Sequence, residues 1–275
     1  MSDQRITLRT IRKWVREGEP FSMLTAYDAT TASWLWRGGV KCLLVGDTAG
    51  QVILGHDATI HAPLDFMVEI TAAVRRGAPD AFIMADMPFG SYQCGDDQAV
   101  ANAMRFLTEG KADVVKMEVN DDYAPLVKRL TSAGVPVVAH TGSLPQHMRV
   151  KGGYGSVGRD KAEAAKVVET AKLMIESGCV MLLLEAVPNE VAETISALAT
   201  SNQIPLIGCG AGSACHGHVV VLQDLLGMTD WQPPFAPPVV DLGKQIQEAA
   251  ARWDETVRSG RYLKEDHPYR MRDDG

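Results

Sequence analysis

Short apolar runs alternate with longer amphipathic stretches along most of this chain. Seven runs of about five residues each lie at 21–26, 41–45, 81–85, 113–117, 135–139, 180–184 and 205–208. They lack the alternation of apolar and polar residues that marks a strand with one exposed face. Continuous apolar runs are typical of strands buried on both faces, as in a parallel sheet.

The stretches between these runs show the spacing of helices. Residues 63–76 carry Leu64, Met67, Val68 and Val74 near the helical period. Helices are predicted in the same way at 63–76, 96–110, 121–134, 161–178 and 189–200. Repeated alternation of strand and helix predicts a parallel α/β fold.

The number of strands decides between two architectures. Residues 219–222 form a possible eighth strand, although they could equally be helical. Eight strands favour a closed (β/α)8 TIM barrel over an open doubly wound sheet, and 275 residues suit one barrel of about 250 residues. We therefore predict a single domain over 1–275. A proline-rich connector at 232–238 leads to a helical extension at 239–258 and a short charged tail containing Lys264, Glu265, Asp266 and His267.

Composition excludes several classes of partner. The net charge of −7 comes with no dense cluster of Lys and Arg, so neither nucleic acid nor an anionic membrane is an expected partner. The apolar run 179–184 is too short to cross a membrane, and the N-terminus has no signal-peptide character. The 5 scattered cysteines include no C-x-x-C pair and suggest reduced thiols in a cytoplasm.

The ends of the runs are unusually polar. In a β/α barrel the active site lies where the strands end, so these side chains should converge. They are Asp47 and Thr48 after the second run, Asp86 after the third, Lys116 and Glu118 in and after the fourth, His140 after the fifth and Glu185 after the sixth.

Several buried carboxylates at one rim need a cation or protons. Magnesium binds one or two carboxylates and accepts waters and substrate oxygens in its other positions, so a metal-assisted enzyme is predicted. Each residue also has a structural alternative: a helix cap for Asp47, a turn for Asp86, a Lys116–Glu118 ion pair, a surface loop for Glu118, a core position for His140 and a salt bridge for Glu185. The joint occurrence at successive strand ends favours the site.

These segments also resemble a known family. The matching blocks include Thr25-Ala-Tyr-Asp28, Leu44-Val-Gly-Asp-Thr-Ala-Gly50, Ala85-Asp-Met-Pro-Phe89, Val115-Lys-Met-Glu118 and Leu184-Glu-Ala-Val-Pro188. From about residue 6 to 265 the chain resembles the ketopantoate hydroxymethyltransferase (3-methyl-2-oxobutanoate hydroxymethyltransferase) family. The resemblance implies a TIM barrel of the phosphoenolpyruvate/pyruvate superfamily type.

The resemblance also implies residue roles. Asp47 and Asp86 would bind Mg²⁺, with Glu118 completing its surroundings, and Glu185 would be the catalytic base. Substrate contacts would come from Asp47, Thr48, Asp86 and Lys116. His140 at the end of the fifth run would contact the substrate or orient a carboxylate.

The family activity implied is hydroxymethyl transfer in pantothenate biosynthesis. The donor is 5,10-methylenetetrahydrofolate, the acceptor is 3-methyl-2-oxobutanoate, and a magnesium-stabilised enolate leads to 2-dehydropantoate. A homo-oligomer, commonly a decamer, is implied as well.

Parts of the chain depart from the family pattern. The loops at 141–145, 155–157 and 209–218 differ, and Thr48 stands where serine is common. The 2-oxo acid therefore stays open. The alternatives are the same chemistry on another 2-oxo acid, a carbon–carbon lyase or mutase of the phosphoenolpyruvate mutase and isocitrate lyase superfamily, and a catalytically inactive regulator built on the same barrel.

Overall fold

The computed structural model describes residues 5–263, Tyr269 and Met271. The strands are β1 (Phe21–Thr25), β2 (Cys42–Val45), β3 (Phe82–Asp86), β4 (Val114–Glu118), β5 (Val137–Gly142), β6 (Met181–Glu185), β7 (Leu206–Cys209) and β8 (Gly217–Val220). The helices are α1 (Leu8–Glu17), α2 (Ala29–Arg37), α3 (Ala49–Val52), α4 (Leu64–Gly77), α5 (Asp96–Thr108), α6 (Ala124–Ser132), α7 (Met148–Lys151), α8 (Lys161–Glu176), α9 (Asn189–Ser201), α10 (Leu222–Leu225) and α11 (Leu242–Arg258). The predicted tail residues Lys264 to His267 lie outside the described residues.

The eight strands form one closed parallel barrel. They pair in chain order from β1 to β8, and β8 pairs with β1 to close the ring. The predicted (β/α)8 barrel is confirmed. Both faces of every strand are covered in such a barrel, which explains why the strands read as continuous apolar runs.

Alternate residues of each strand face opposite sides of the barrel wall. Leu44, Met84, Val114, Val138 and Leu183 belong to the apolar cluster inside the barrel. The residues next to them in sequence belong to the cluster between strands and helices, as Leu43, Ile83, Val115, Val137 and Leu182 do. This alternation fixes which later residues of each strand point into the mouth of the barrel.

Helix α1 covers the N-terminal end of the barrel. It begins at a capping box between Thr7 and Thr10 and ends at Gly18, whose left-handed backbone (φ 68°) suits glycine. Ile11 on this helix is fully buried in the inner apolar cluster with Met23. Neither α1 nor α2 was predicted.

Three predicted boundaries are corrected by the structure. β5 continues to Gly142, so His140 lies within the strand rather than after it. β8 begins earlier than predicted, at Gly217, whose lack of a side chain makes room for the ring of Phe21. The predicted helix 121–134 is a short 3-10 turn (Asp121–Tyr123) followed by α6, because a proline without an N–H is best placed in the first turn of a new helix.

The chain divides into two compact units, Met1–Leu222 and Gln223–Gly275. The first contains the barrel, and the second contains α11 in place of the predicted helix 239–258. The organisation as a single domain stays a prediction. Among the residues described, no helix combines the length and the apolar content needed to cross a membrane.

Candidate active site

The alternation inside the barrel carries polar side chains into its C-terminal mouth. Asp86 lies two residues after the inward-facing Met84, and Lys116 two residues after Val114. Strand register then places Asp86 beside Lys116, and Glu118 beside His140 on the next pair of strands. The side chains converge because the strands are parallel and in register.

All of the predicted site residues line one cavity at this mouth. They are Asp47, Thr48, Asp86, Lys116, Glu118, His140 and Glu185. Apolar side chains form the floor and side of the cavity, among them Leu44, Leu183 and Val219. The structure therefore brings together every residue that the sequence singled out, and their chemical roles stay predictions.

Asp86 and Lys116 form a buried ion pair. Lys116 Nζ lies 3.1 Å from Asp86 Oδ2, and both side chains are almost inaccessible. Burial raises the pKa of Asp86 to about 7 against the opposing effect of Lys116, and Asp47 adds to the rise. Carboxylates nearby, Asp86 foremost, outweigh desolvation and raise the pKa of Lys116, which stays charged. Asp86 Oδ1 is buried and has no hydrogen-bond partner within the described part of the chain.

Asp47 and Thr48 occupy the turn after β2. The backbone N–H of Asp47 donates to Asp86 Oδ2 over 3.0 Å, which ties this turn to the ion pair. Thr48 Oγ1 lies 2.6 Å from the hydroxyl of buried Tyr27. Thr48, not Asp47, is the residue that precedes α3, so the helix-cap alternative for Asp47 does not hold.

His140 lies between the ion pair and Glu185. Its Nδ1 lies 3.2 Å from Lys116 Nζ, and its Nε2 lies 3.5 Å from Glu185 Oε2. Burial, reinforced by Lys116, lowers the pKa of His140 well below its ordinary value, so the ring is neutral near pH 7. An ammonium group can only donate, so Nδ1 accepts from Lys116 and the ring hydrogen is on Nε2, which faces Glu185 but has no hydrogen-bond partner among the described residues.

Glu185 ends β6 at the open side of the cavity, with its side chain 21% exposed. Burial raises the pKa of Glu185 to about 7, with Lys116 opposing the rise. Its backbone is held by Ser143, whose N–H donates to Glu185 O over 2.8 Å. The next residue, Ala186, has a left-handed backbone (φ 48°), an uncommon conformation outside glycine that turns the chain directly after the carboxylate.

Glu118 is held by a residue that sequence reasoning did not select. Glu118 is 1% exposed, and burial raises its pKa well above the usual value, with Asp47 adding to the rise. The backbone N–H of Gln146 donates to Glu118 Oε2 over 3.0 Å. The only signal for Gln146 was its presence at the end of the altered segment 140–146, where it matches the family pattern.

The donor set suits a magnesium ion. Asp47 and Asp86 line the same cavity and are joined by a hydrogen bond from the Asp47 backbone to the Asp86 carboxylate. Asp86 Oδ1 is a buried oxygen there without a partner among the described residues. Within those residues no group of three or more His, Cys, Asp or Glu side chains is arranged as a metal cage. Two carboxylates completed by water and substrate are a common magnesium environment, so these residues fit the ion.

Similar proteins are found along nearly the whole chain. A family model described as ketopantoate hydroxymethyltransferase matches residues 5–265. A 3-methyl-2-oxobutanoate hydroxymethyltransferase of Desulfotalea psychrophila (strain LSv54 / DSM 12343) is 43% identical over 253 residues, covering 92% of this chain and 90% of that protein. The enzyme of the same name from Syntrophus aciditrophicus (strain SB) is 40% identical, covering 97% of both chains.

Solved structures are similar in fold. A 2,3-dimethylmalate lyase of the PEP mutase/isocitrate lyase superfamily superposes with a TM-score of 0.61 at 16% identity, covering 96% of this chain and 92% of that one. A phosphonopyruvate hydrolase solved with oxalate and Mg²⁺ superposes with a TM-score of 0.59 at 14% identity, covering 98% and 93%. At these identities the likeness shows the fold alone, a (β/α)8 barrel, and the superfamily type of the barrel stays a prediction.

Proposed function

Because the chain belongs to the ketopantoate hydroxymethyltransferase family, we propose that it transfers a hydroxymethyl group from 5,10-methylenetetrahydrofolate to 3-methyl-2-oxobutanoate and forms 2-dehydropantoate. Membership makes the chain a hydroxymethyl-transferring enzyme and implies a step of pantothenate biosynthesis. The donor, the metal ion and the residue roles are part of the proposal. So are a homo-oligomeric state and a cytoplasmic location.

The observation that carries the proposal is that a charged lysine and a carboxylate with a raised pKa lie on opposite sides of His140. Lys116 keeps a positive charge beside Asp86, whereas Glu185 has a pKa of about 7 on the open side. His140 lies between them and is neutral. A fixed cation next to a carboxylate that takes up a proton near pH 7 suits removal of a proton beside a carbonyl group.

Asp47 and Asp86 would hold Mg²⁺, with Glu118 in its surroundings. When bound, the ion would supply Lewis-acid polarisation of the 2-oxo group of the substrate. The phosphonopyruvate hydrolase of the same fold was solved with Mg²⁺ and oxalate, a small dicarboxylate, which supports the choice of ion. Thr48, fixed by Tyr27, would donate a hydrogen bond to the substrate carboxylate.

Glu185 would accept the C3 proton of the 2-oxo acid. Its side chain is partly exposed at the cavity mouth, and a pKa of about 7 makes it a stronger base than an ordinary carboxylate. Lys116 would stabilise the negative charge that develops on the substrate oxygen, which is effective in a site closed to water. The substrate carbon would then form a bond to the methylene carbon as both C–N bonds to the folate break. Water would supply the hydroxyl group, and its other proton and the C3 proton would end on the two folate nitrogens, so that tetrahydrofolate leaves.

A coupled assay tests this proposal directly. Purified protein is incubated with 3-methyl-2-oxobutanoate, 5,10-methylenetetrahydrofolate and Mg²⁺, and both tetrahydrofolate and 2-dehydropantoate are measured. We expect equal amounts of the two products. A folded protein that binds Mg²⁺ but forms neither product would contradict the assignment of substrates.

A second candidate, the same chemistry on another 2-oxo acid, has one observation in its favour. Cys209 ends β7 and lines the cavity at a position where the family pattern has isoleucine. Within the described residues, the other altered positions of the segment 209–218 are not part of the cavity wall. A panel of 2-oxo acids in the same assay separates the candidates by their kcat/KM values.

A further inference from the structure

Gln146 lies just behind the carboxylates of the candidate site. It belongs to the 3-10 turn Pro145–His147 that follows β5, and it is 4% exposed. Its side chain does not line the cavity, so it has no direct route to a substrate. Buried amides of this kind are kept by the hydrogen bonds they make, and those bonds show what the residue does.

Gln146 contacts the turns that follow β2 and β3 and the end of β4. Its Nε2 donates to Asp47 Oδ2 over 2.8 Å and to the carbonyl oxygen of Met87 over 3.1 Å. Its backbone N–H donates to Glu118 Oε2 over 3.0 Å. One residue therefore fixes one oxygen of each of two carboxylates that face the cavity.

The orientation of this amide is set by its other partners. The hydroxyl of Tyr92, 2% exposed, donates to Gln146 Oε1 over 2.6 Å, and Gln93 Nε2 lies 3.5 Å from the same oxygen. Rotating the amide by half a turn would set its oxygen against Asp47 and Met87 O, both acceptors, so only one orientation satisfies the network. The side chain of Gln146 is thus fixed in the orientation that donates to Asp47.

We propose that Gln146 is a positioning residue that holds Asp47 and Glu118 in their active geometry, an inference that rests on the function proposed above. Asp47 Oδ2 is held by the amide, which leaves Oδ1 for a ligand. Without the amide, the Asp47 carboxylate can rotate, so that binding of Mg²⁺ would itself have to fix the orientation of the carboxylate. Groups that orient metal-binding side chains in this way typically change metal affinity or activity by about 10–100-fold when they are removed.

Two variants test the role with the fold preserved. Gln146→Met keeps the length and bulk of the side chain but removes every side-chain hydrogen bond, whereas Gln146→Glu puts an acceptor against Asp47 Oδ2. Gln203→Glu, on an exposed residue after α9, is the matched control for added charge. We expect both Gln146 variants to bind Mg²⁺ about 10–100-fold more weakly in calorimetric titrations without substrate, and kcat to fall by a similar factor. The control should match the wild type.

A crystal structure of Gln146→Met separates this inference from the proposed function. We expect the Asp47 carboxylate to shift by more than about 0.5 Å, the tolerance of a well-positioned site. If it shifts but the wild type neither binds Mg²⁺ nor turns over, the positioning role stands and the proposed function fails. An unmoved carboxylate with Mg²⁺ affinity within twofold of the wild type would overturn the inference.

Tyr92→Phe provides the test if neither Gln146 variant folds. It keeps Gln146 and removes the hydroxyl that fixes the amide. A severalfold loss of Mg²⁺ affinity, with unchanged thermal stability, would support the positioning role. Unchanged Mg²⁺ affinity and kcat in a folded Tyr92→Phe variant would count against it.

Discussion

Each end of the barrel contains an ion pair shielded from solvent, mostly buried at one end and fully buried at the other, and the two pairs differ in how many of their hydrogen bonds the protein supplies. At the N-terminal end, Arg75 Nη2 lies 2.5 Å from Asp113 Oδ2, and the remaining guanidinium nitrogens donate to the carbonyl oxygens of Lys111, Pro79 and Ala81. Asp113 also accepts from the backbone of Ile83 and from Arg5. Each nitrogen of Arg75 and each carboxylate oxygen of Asp113 therefore has at least one partner from the protein.

At the C-terminal end, the Lys116–Asp86 pair leaves one hydrogen-bond acceptor unused by the described residues. Asp86 Oδ1 is buried without a partner among the described residues, and Glu185 nearby is partly exposed with a raised pKa. An incompletely satisfied buried group is costly, and proteins retain it where a ligand completes it. The N-terminal pair is thus satisfied by the protein itself, whereas the C-terminal pair leaves a carboxylate oxygen that the proposed substrate and ion would fill.

Glu185→Gln should produce the largest effect at the open end. Removal of a general base typically lowers turnover by about 10²–10⁴-fold. Exchange of the C3 proton of 3-methyl-2-oxobutanoate in deuterated water, followed by NMR, should stop while Mg²⁺ binding persists. Folding raises the pKa of Glu185 above its value of 4.5, so above pH 7 its charge costs stability and the variant should be at least as stable as the wild type.

The matched control for this change is Glu169→Gln on the exposed face of α8. It removes the same charge far from the cavity and should exchange the C3 proton at the wild-type rate. Continued exchange in Glu185→Gln would remove Glu185 from the role of base.

Asp86→Asn and Asp113→Asn apply the same substitution to the two pairs. Asp86→Asn should weaken Mg²⁺ binding and lower kcat by about 100-fold, as expected when an electrostatic contact to the reacting group is lost. Asp113→Asn should leave kcat within twofold but destabilise the fold by about 2 kcal/mol, because charged hydrogen bonds to Arg75 and Ile83 are broken.

Denaturant unfolding and steady-state kinetics on both variants check this contrast. Asp86→Asn should lose less stability than Asp113→Asn, since Lys116 keeps Asp47 and Glu118 nearby as counter-charges. Equal losses of turnover in the two variants would show that the N-terminal ion pair affects catalysis as much as the C-terminal one does.

The parts of the fold that were predicted from sequence are those governed by local periodicity. Buried parallel strands leave continuous apolar runs, so seven strands were found, and the residues after them were placed at the mouth. The eighth strand was misplaced because it begins at Gly217, which packs against Phe21 and carries no apolar side chain of its own. Helix α1 was missed although its caps, Thr7 and Gly18, are visible in the sequence.

The site was predicted as a set of residues but not as a network. Strand register, which the sequence does not state, makes Asp86 and Lys116 neighbours and leaves Glu118 beside His140. Gln146 was missed because Asp47, its partner, lies 99 positions away in the chain. Such long-range pairs depend on closure of the barrel, and no local pattern encodes them.

The pH dependence of turnover should distinguish the open end from the closed end. With a pKa of about 7, Glu185 is about one-tenth deprotonated at pH 6 and about nine-tenths at pH 8, and only the deprotonated form accepts a proton. At saturating Mg²⁺, kcat should therefore rise about tenfold between these values. Asp113→Asn should keep this profile, whereas the residual activity of Glu185→Gln should not show it. A flat wild-type profile would contradict the role of Glu185.

The smallest effect is expected at Cys209, which lines the open end and differs from the family pattern. Cys209→Ile adds bulk to the cavity wall, and Cys209→Ala removes it. A difference of one methylene in an apolar pocket changes discrimination by roughly tenfold at the low end of its range. We expect Cys209→Ile to favour 3-methyl-2-oxobutanoate over longer 2-oxo acids by up to about that factor, and Cys209→Ala to shift preference the opposite way. Specificity ratios measured as kcat/KM across a panel of 2-oxo acids check this. Identical ratios in all three proteins would show that Cys209 does not select the substrate, and that specificity at the open end comes from the other residues that line the cavity.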